Sequence, residues 1–235
     1  MKKSICLTGI VAVLFLLQCI VPNQLFAGGD LNEKPFMKEI DKIHLLKKGG
    51  LFGLDLSIKL GLGISKTKFD LNSGSDTAIQ NLNTTNTVLG PSIGADITLT
   101  VLGYGITTGM VYSKKGFQTT GGTNYNFHYF IIPLLLYFNF DVGKVVIDGN
   151  FGPYFGLLLS NDDFTQNNIA VYKMKNFDLG LTVNIQGAYM FTKVLGILLG
   201  YKYEYGGLNN LASNAIVNKM TTQTHFIFTG LKVDL

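Results

Sequence analysis

Residues 51–63 read LFGLDLSIKLGLG, and they decide the fold because apolar and polar side chains alternate through the stretch. The even positions are all apolar, namely Phe52, Leu54, Leu56, Ile58, Leu60 and Leu62. The odd positions include the small or charged residues Gly53, Asp55, Ser57, Lys59 and Gly61. A period of two indicates a β-strand with unlike faces, and this run is longer than most strands of soluble proteins.

The same period recurs along the rest of the chain. It is regular over residues 89–101 and 177–189, and less regular over 104–112, 125–140, 144–159, 194–206 and 222–235. Residues 125–140 are apolar at both odd and even positions, so the pattern there leaves the orientation open. The sequence therefore predicts eight strands. Proline removes a donor from the strand ladder, so we expect a bulge or a broken hydrogen bond at Pro91, Pro133 and Pro153.

Long and short connections alternate between these strands. The long ones cover residues 65–87, 115–123, 161–175 and 207–220, and the short ones lie near 103, 141–143 and 191–193. Outer-membrane barrels have long extracellular loops and short periplasmic turns. An even number of strands would place both chain ends in the periplasm. The last strand ends with the chain, which fits closure on the first.

The composition favours a barrel whose apolar face is turned to lipid. Charged residues make up 14% of the chain, against about 25% in an average soluble domain. Past residue 21 no apolar stretch approaches the roughly 20 residues that a spanning helix needs. The polar strand faces carry mainly Gly, Ser, Thr and Asn, which suit the narrow interior of a barrel of about eight strands. A closed barrel also satisfies every backbone hydrogen bond in lipid.

Aromatic residues gather near the predicted strand ends, as membrane-interface girdles would require. One rim would carry Tyr104, Phe140, Tyr189 and Phe191, and the other Tyr112, Tyr125, Phe127, Tyr203 and Tyr205. No basic patch interleaved with aromatics suggests binding to nucleic acid.

The first 27 residues have the features of a secretory signal peptide. Lys2 and Lys3 precede an apolar run over residues 5–21, and we expect cleavage after Ala27. Both cysteines, Cys6 and Cys19, lie in this segment, so the mature chain would contain no thiol for a disulfide or a metal site.

Residues 28–49 form a different kind of segment, a predicted periplasmic lead-in ahead of a barrel domain over 50–235. Apolar residues recur there at helical spacing, namely Phe36, Met37, Ile40, Ile43 and Leu46. The pattern predicts a short amphipathic helix that lies on the inner leaflet, plugs the lumen, docks on a partner or simply leads into the barrel.

Charged residues on the polar faces would meet inside the barrel. They are Asp55, Lys59, Asp96, Asp148, Asp178, Lys202, Glu204 and Lys232. Strand offsets predict pairs between Lys59 and Asp96, between Asp55 and Lys232, and between Asp178 and Lys202. Isolated charges in so narrow a lumen would be costly, so we expect a paired polar plug.

The histidines give no sign of catalysis. His44 lies in the predicted helix, and His128 and His225 lie on strands without a nearby Ser or acidic residue in sequence. A nucleophile needs a base within hydrogen-bond reach and a group that orients this base. We therefore expect no catalytic residue, no metal site and no cofactor.

Several stretches resemble the outer-membrane β-barrel family common in Bacteroidetes that includes PorT-like proteins. They are residues 112–116 (YSKKG), 132–137 (IPLLLY), 152–156 (GPYFG), 200–203 (GYKY) and 206–208 (GGL). The resemblance covers roughly residues 50–235 and implies an eight-stranded barrel. It also implies a link to protein export through a Bacteroidetes secretion system, although most relatives have no assigned function.

These observations predict an all-β protein, an eight-stranded antiparallel transmembrane up-and-down barrel of the bacterial outer membrane. We expect a non-enzymatic protein in contact with outer-membrane lipid, with an accessory role in secretion or envelope assembly. A protein partner would bind the loops or residues 28–48. A narrow porin-like transport channel and an outer-membrane lipid-modifying enzyme are the alternatives.

Overall fold

Eight long strands form a closed antiparallel barrel in the computed structural model of this chain. The structure describes residues 52–71, 86–119, 121–162, 165–166, 169–170, 174–208 and 217–235. The barrel strands are β1 (Gly53–Leu71), β2 (Val88–Val101), β3 (Tyr104–Gln118), β4 (Asn124–Val142), β5 (Val145–Asn161), β8 (Phe177–Met190), β9 (Leu195–Gly206) and β10 (Val217–Asp234). Two short strands, β6 (Thr165–Gln166) and β7 (Ile169–Ala170), pair with each other.

The strand order confirms the predicted up-and-down barrel. Each barrel strand pairs with its neighbours in sequence, and β1 closes the ring by pairing with β10 from Asp55↔Asp234 to Leu71↔Val217. We call the end with the short β2–β3, β4–β5 and β8–β9 connections the tight-turn end, and the opposite end the loop end. The start of β1 and the end of β10 both lie at the tight-turn end. The predicted signal peptide and helix lie outside the described residues, within which no helix is long and apolar enough to cross a membrane.

The outward face is apolar, as the sequence predicts. Leu60 and Leu62 of β1 are 56% and 59% exposed, whereas Ser65 and Thr67, on the opposite face of the same strand, are fully buried. Burying polar side chains and exposing leucine would be unfavourable in water. In lipid the same arrangement removes apolar surface from water and leaves the polar groups to pair with one another in the lumen.

Several strands run further toward the loop end than the sequence predicts. β1 continues through Leu71, β3 through Gln118, and β10 begins at Val217. The loops predicted over 65–87 and 115–123 therefore begin later than expected, and the loop predicted over 207–220 ends earlier. The outward residues of the β1 extension, Lys66 and Lys68, are charged, so the apolar alternation disappears there. Pairing with β10, such as Thr67↔Thr222, carries the strand onward regardless.

Strand pairing changes beside each of the three prolines. The β4–β5 ladder skips from Pro133↔Tyr154 to Leu136↔Phe151, which leaves Pro153 unpaired on that side. The β3–β4 ladder skips from Thr108↔Leu134 to Val111↔Ile131, which leaves Pro133 unpaired on that side. Pro91 lies one residue before the first β2–β3 pair, which joins Ser92 to Ser113. The prolines thus occupy positions where one ladder is interrupted, as the missing N–H requires. The register shifts between described strands fall elsewhere, at Asp70/Leu71 and His128/Tyr129.

Candidate functional site

A charged cluster closes the barrel interior at the tight-turn end. Lys232 Nζ lies 2.8 Å from Asp148 Oδ2 and 3.3 Å from Asp55 Oδ2, so one cation serves two carboxylates. Tyr137 donates its hydroxyl hydrogen to Asp148 Oδ1 at 2.6 Å, and Gln186 donates to Oδ2 at 2.9 Å. Asp148 is fully buried and Lys232 is 4% exposed. We call these five residues the Lys232 cluster.

A second charged cluster lies nearer the loop end. Lys115 Nζ lies 2.6 Å from Glu204 Oε2, and Lys202 Nζ lies 2.7 Å from Glu204 Oε1, so here one carboxylate serves two cations. Lys115 also donates to the Tyr154 hydroxyl at 3.1 Å. Tyr154 donates in turn to Asp178 Oδ2 at 3.2 Å, and the Gly207 N–H donates to Asp178 Oδ1 at 2.9 Å. We call Lys115, Lys202, Glu204, Tyr154 and Asp178 the Glu204 cluster.

An ion pair and a chain of hydroxyl groups also lie in the lumen. Lys59 Nζ lies 2.7 Å from Asp96 Oδ2. The hydroxyls of Thr98 and Thr107 lie 2.8 Å apart, and Thr107 donates to Asn150 Oδ1 at 2.9 Å. A cavity of about 40 Å³ opens beside Lys59 and Asp96. The polar lining of this space pairs mainly with itself, which is the arrangement that a low dielectric favours.

The structure brings together two of the three predicted pairs. Lys59 meets Asp96, and Asp55 meets Lys232. The third prediction is wrong, because Asp178 takes Tyr154 and Gly207 as partners while Lys202 pairs with Glu204. Asp178 and Lys202 lie on strands β8 and β9, but direct pairing places Lys202 opposite Asn184 rather than Asp178.

Lys115 is a charged lumen residue outside the predicted set, and Tyr137, Tyr154 and Gln186 are uncharged ones. The sequence predicts a loop over residues 115–123, yet Lys115 lies on β3 with only 1% of its surface exposed. The two-residue period of the sequence indicates the inward position of Lys115. The inward positions of β3 continue at every second residue through Ser113, Lys115 and Phe117, all three of which are buried. Following the period past the last apolar outward residue would have found it.

An apolar cluster fills the lumen at the loop end. Its buried members are Phe69, Phe117, Phe127, Tyr129, Ile131, Tyr154, Met174, Val217 and Met220, with Tyr125 packed against them. The Phe117 ring stacks on Tyr125 at 5.2 Å and meets Phe69 edge-on at 5.0 Å. Tyr125 and Phe127 were predicted in the outer girdle, but their side of β4 faces inward. Because β4 is apolar on both faces, only the pairing of its neighbours fixed that orientation.

The tight-turn rim does carry the predicted aromatic residues on its outer surface. Tyr104 is 73% exposed and Phe140 is 63% exposed, and Tyr189 and Phe191 are each about half exposed. At the loop end the outward aromatics include Tyr112 and Tyr203. Amphipathic rings at both ends of an apolar band are typical of a barrel held at two membrane interfaces.

Glycines make room for the largest buried side chain of the Glu204 cluster. Tyr154 is 1% exposed, and a methyl group added at Gly180 would overlap its ring. A methyl group at Gly206 would overlap the Tyr154 hydroxyl. In a barrel this narrow, the wall must be thinned to glycine wherever a tyrosine crosses the lumen.

Gly180→Ala is therefore expected to lower the free energy of unfolding by about 1–3 kcal/mol, the usual cost of an extra methyl group in a filled core. The measurement is urea unfolding of the protein in lipid vesicles. Gly187→Ala is the matched control on the same strand, because nothing lies within 4 Å of a methyl group at that position. Equal stability of the two variants would show that the Tyr154 ring does not need this space.

The described residues offer no metal site and no catalytic base facing the lumen. No group of three or more His, Cys, Asp or Glu residues among them could hold a metal ion. His128 and His225, the histidines of the described chain, point away from the lumen, and each lies within hydrogen-bond distance of a tyrosine hydroxyl. The carboxylates in the lumen are occupied by lysines and tyrosines. Their arrangement can hold the barrel closed, and it presents no activated nucleophile.

The family that this sequence matches agrees with this architecture. A family model described as "Outer membrane protein beta-barrel domain" matches residues 50–213. The chain is similar to OprG from Pseudomonas aeruginosa, with 14% identity, a TM-score of 0.47, and coverage of 77% of this chain and 95% of that chain. Neisserial surface protein A is 12% identical with a TM-score of 0.43, and the match covers 76% of this chain and 96% of that chain. Ail from Yersinia pestis is 15% identical with a TM-score of 0.40, and the match covers 77% of this chain and 98% of that chain. The chain matches no curated protein.

Proposed function

This chain belongs to the outer membrane protein beta-barrel domain family, and we propose that it is a closed, non-enzymatic barrel that works through contacts with other molecules. The observation that carries the proposal is the filled lumen. The Lys232 cluster, the Glu204 cluster and the apolar cluster at the loop end occupy its interior at successive heights. A barrel without a passage or an interior active site has its outer surface and its ends for function.

The orientation that we propose follows from the connections. The turns at the tight-turn end are short, with β3 beginning three residues after β2 ends and β5 beginning three residues after β4 ends. Short turns face the periplasm in outer-membrane barrels, and longer loops face outward. On this basis both Gly53 and Asp234 lie on the periplasmic side, together with any segment that precedes β1.

The non-enzymatic assignment is supported by where the polar groups lie. An enzyme of this architecture would need a nucleophile or base with free access to substrate. Asp148 and Glu204, two of the most buried carboxylates, are instead held by lysines at 2.8 and 2.6 Å. Asp178, which is as buried as Glu204, accepts hydrogen bonds from the Tyr154 hydroxyl and the Gly207 N–H. Occupied acids of this kind stabilise a structure and have no proton transfer to perform on a bound substrate.

A narrow channel is the alternative function, and such a channel would conduct ions across a lipid bilayer. Polar side chains line the lumen, and a cavity of about 40 Å³ lies at mid-barrel. That volume holds a few water molecules at most. The apolar cluster above it contains Phe117 and Phe127, both fully buried.

The protein reconstituted in planar bilayers is therefore expected to show no conductance above lipid leak. A wide porin inserted under the same conditions is the positive control, and migration of unheated protein on a denaturing gel verifies that the barrel has folded. Reproducible unitary steps from the purified chain would favour the channel and remove the main support for the closed-barrel proposal.

For the biological role, we propose an accessory function in secretion or envelope assembly. The support is the resemblance of residues 112–116, 132–137 and 152–156 to PorT-like barrels. A barrel closed to transport still presents its loops and the segment before β1 to other envelope proteins. Residues 28–48 have an amphipathic pattern and would be the first candidate for a partner contact.

The test is affinity purification from outer membranes, with and without residues 28–48. We expect a defined partner that co-purifies with the full chain and is lost from the truncated one, while both barrels remain folded. If no protein is recovered with either form, or if recovery is independent of the segment, a partner contact through residues 28–48 is excluded.

A further inference from the structure

Two tyrosine–histidine pairs lie on the outward face of the barrel toward the loop end. The Tyr201 hydroxyl is 2.5 Å from His225 Nδ1, and the Tyr112 hydroxyl is 2.6 Å from His128 Nδ1. When Nδ1 of a neutral histidine accepts such a hydrogen bond, the ring proton sits on Nε2. Each ring then has an N–H donor to offer away from its tyrosine.

The pair on β9 and β10 belongs to a larger polar and aromatic surface. The Tyr203 ring lies 5.0 Å from the His225 ring and directly opposite it in the strand register. On the other side of β10, Gln223 lies opposite Lys66 of β1. We call the surface formed by Tyr201, Tyr203, His225, Gln223, Lys66 and Lys68 the β9–β10–β1 patch.

The charge of this patch is positive. Lys66 and Lys68 are exposed and make no ion pair with any residue that the structure describes, unlike Lys59, Lys115, Lys202 and Lys232 in the lumen. Asp70, the next outward residue of β1, lies opposite Lys219 of β10. This part of the wall therefore carries three lysines, Lys66, Lys68 and Lys219, and one carboxylate, Asp70. The excess of positive charge makes the patch complementary to an anion.

The position of the patch along the barrel points to a lipid headgroup. The outward residues of β1 are apolar through Leu62 and Ile64, which are 59% and 51% exposed, and Lys66 is the first charge beyond them. His225 lies opposite Ile64, at the last apolar rung of the strand pair. Aromatic side chains just inside and cations just outside the edge of an apolar band occupy the depth at which lipid headgroups lie.

From these observations we propose that the β9–β10–β1 patch binds the phosphate-bearing headgroup of a lipid in the leaflet at the loop end. Lys66 and Lys68 would pair with the phosphate, and the Nε2–H of His225 would donate to one of its oxygens. Tyr201 holds the imidazole in the tautomer and orientation that this contact needs. The inference rests only on the outer-membrane location of the barrel and does not require a protein partner.

Native mass spectrometry of the full-length protein, released from detergent micelles, tests the proposal. The probes are dimyristoyl phosphatidic acid and, as lipids with the same chains, dimyristoyl phosphatidylcholine and dimyristoylglycerol. We expect preferential retention of the phosphatidic acid. Lys66→Gln with Lys68→Gln removes both cations that would pair with the phosphate and should reduce retention by about tenfold or more. His225→Gln should reduce it by about threefold, the worth of one hydrogen bond.

The control variant removes the same amount of positive charge at a different place on the barrel. Lys144→Gln with Lys193→Gln removes two exposed lysines at the tight-turn end, and retention should be unchanged. An equal loss in this control would mean that the lipid responds to overall charge, which overturns the patch. Displacement of the lipid by excess inorganic phosphate would assign the patch to the free ion instead. Equal retention of dimyristoylglycerol and phosphatidic acid would exclude a phosphate-specific site.

Discussion

Replacing Lys232 with methionine is expected to lower the free energy of unfolding by about 3–5 kcal/mol, the cost of removing one partner from a buried ion pair. Lys232 Nζ contacts Asp148 and Asp55 and also donates to the Tyr137 hydroxyl at 3.3 Å. Methionine fills a similar volume, so the loss of stability would come from the missing charge and not from a cavity. After the change, Asp148 keeps only neutral donors at a fully buried position.

The measurement is urea unfolding in vesicles, with a second variant to separate the causes. Asp148→Asn combined with Lys232→Met removes both charges of the closest pair, and we expect it to recover at least half of the loss. Lys144→Met, at an exposed position near the same end, should change stability by no more than about 0.5 kcal/mol. If the double variant is as unstable as Lys232→Met alone, the loss does not come from an unpaired carboxylate.

Glu204→Gln is the second change with a large expected effect, again about 3–5 kcal/mol. Here the charge that is removed is negative and the charges left behind are positive, because Glu204 is the one carboxylate shared by Lys115 and Lys202. Lys115 is 1% exposed, so water cannot replace the lost partner. Its amino group lies 4.6 Å from the centre of the Tyr154 ring, a contact too weak to hold a buried cation alone.

Adding Lys115→Met to Glu204→Gln should restore most of the stability, since Lys202 is the more exposed of the two lysines. Asp141→Asn, an acid-to-amide change at an exposed position, is the matched control and should be nearly neutral. A loss in Glu204→Gln no larger than that in Asp141→Asn would show that the ion pairs of the Glu204 cluster do not hold the barrel together.

Together the two variants test whether the closed lumen is a structural requirement. Lys232 and Glu204 belong to separate clusters, so their effects should add within about 0.5 kcal/mol when combined. Additive losses without any gain of conductance would support a lumen filled for stability, in keeping with the proposed function. Conductance that appears only in the variants would place the barrier to ions in these clusters.

Much of this protein follows from local pattern. A side chain's face depends only on whether its position is odd or even, so residues 51–63 were enough to predict a strand with one apolar and one polar face. The low charge of the chain and the small residues on the polar faces then predicted that the apolar face is turned to lipid. The number of strands followed from the alternation. The ends of the strands did not, because Lys66 and Lys68 interrupt the apolar alternation while pairing with β10 continues beyond them.

Only the tertiary structure decided the remaining charge partners, beyond the pairs Lys59–Asp96 and Asp55–Lys232 that strand offsets predicted. Lys232 and Asp148 are 84 residues apart in sequence, and they touch because the register of all eight strands brings them to one height. A slip of one residue between strands would reverse every face, so the apolar pattern forbids it. A slip of two residues would preserve every face and exchange every partner. The alternation in the sequence is blind to that second kind of slip, so the inner and outer faces could be predicted while the partners of Asp178 and Lys115 could not.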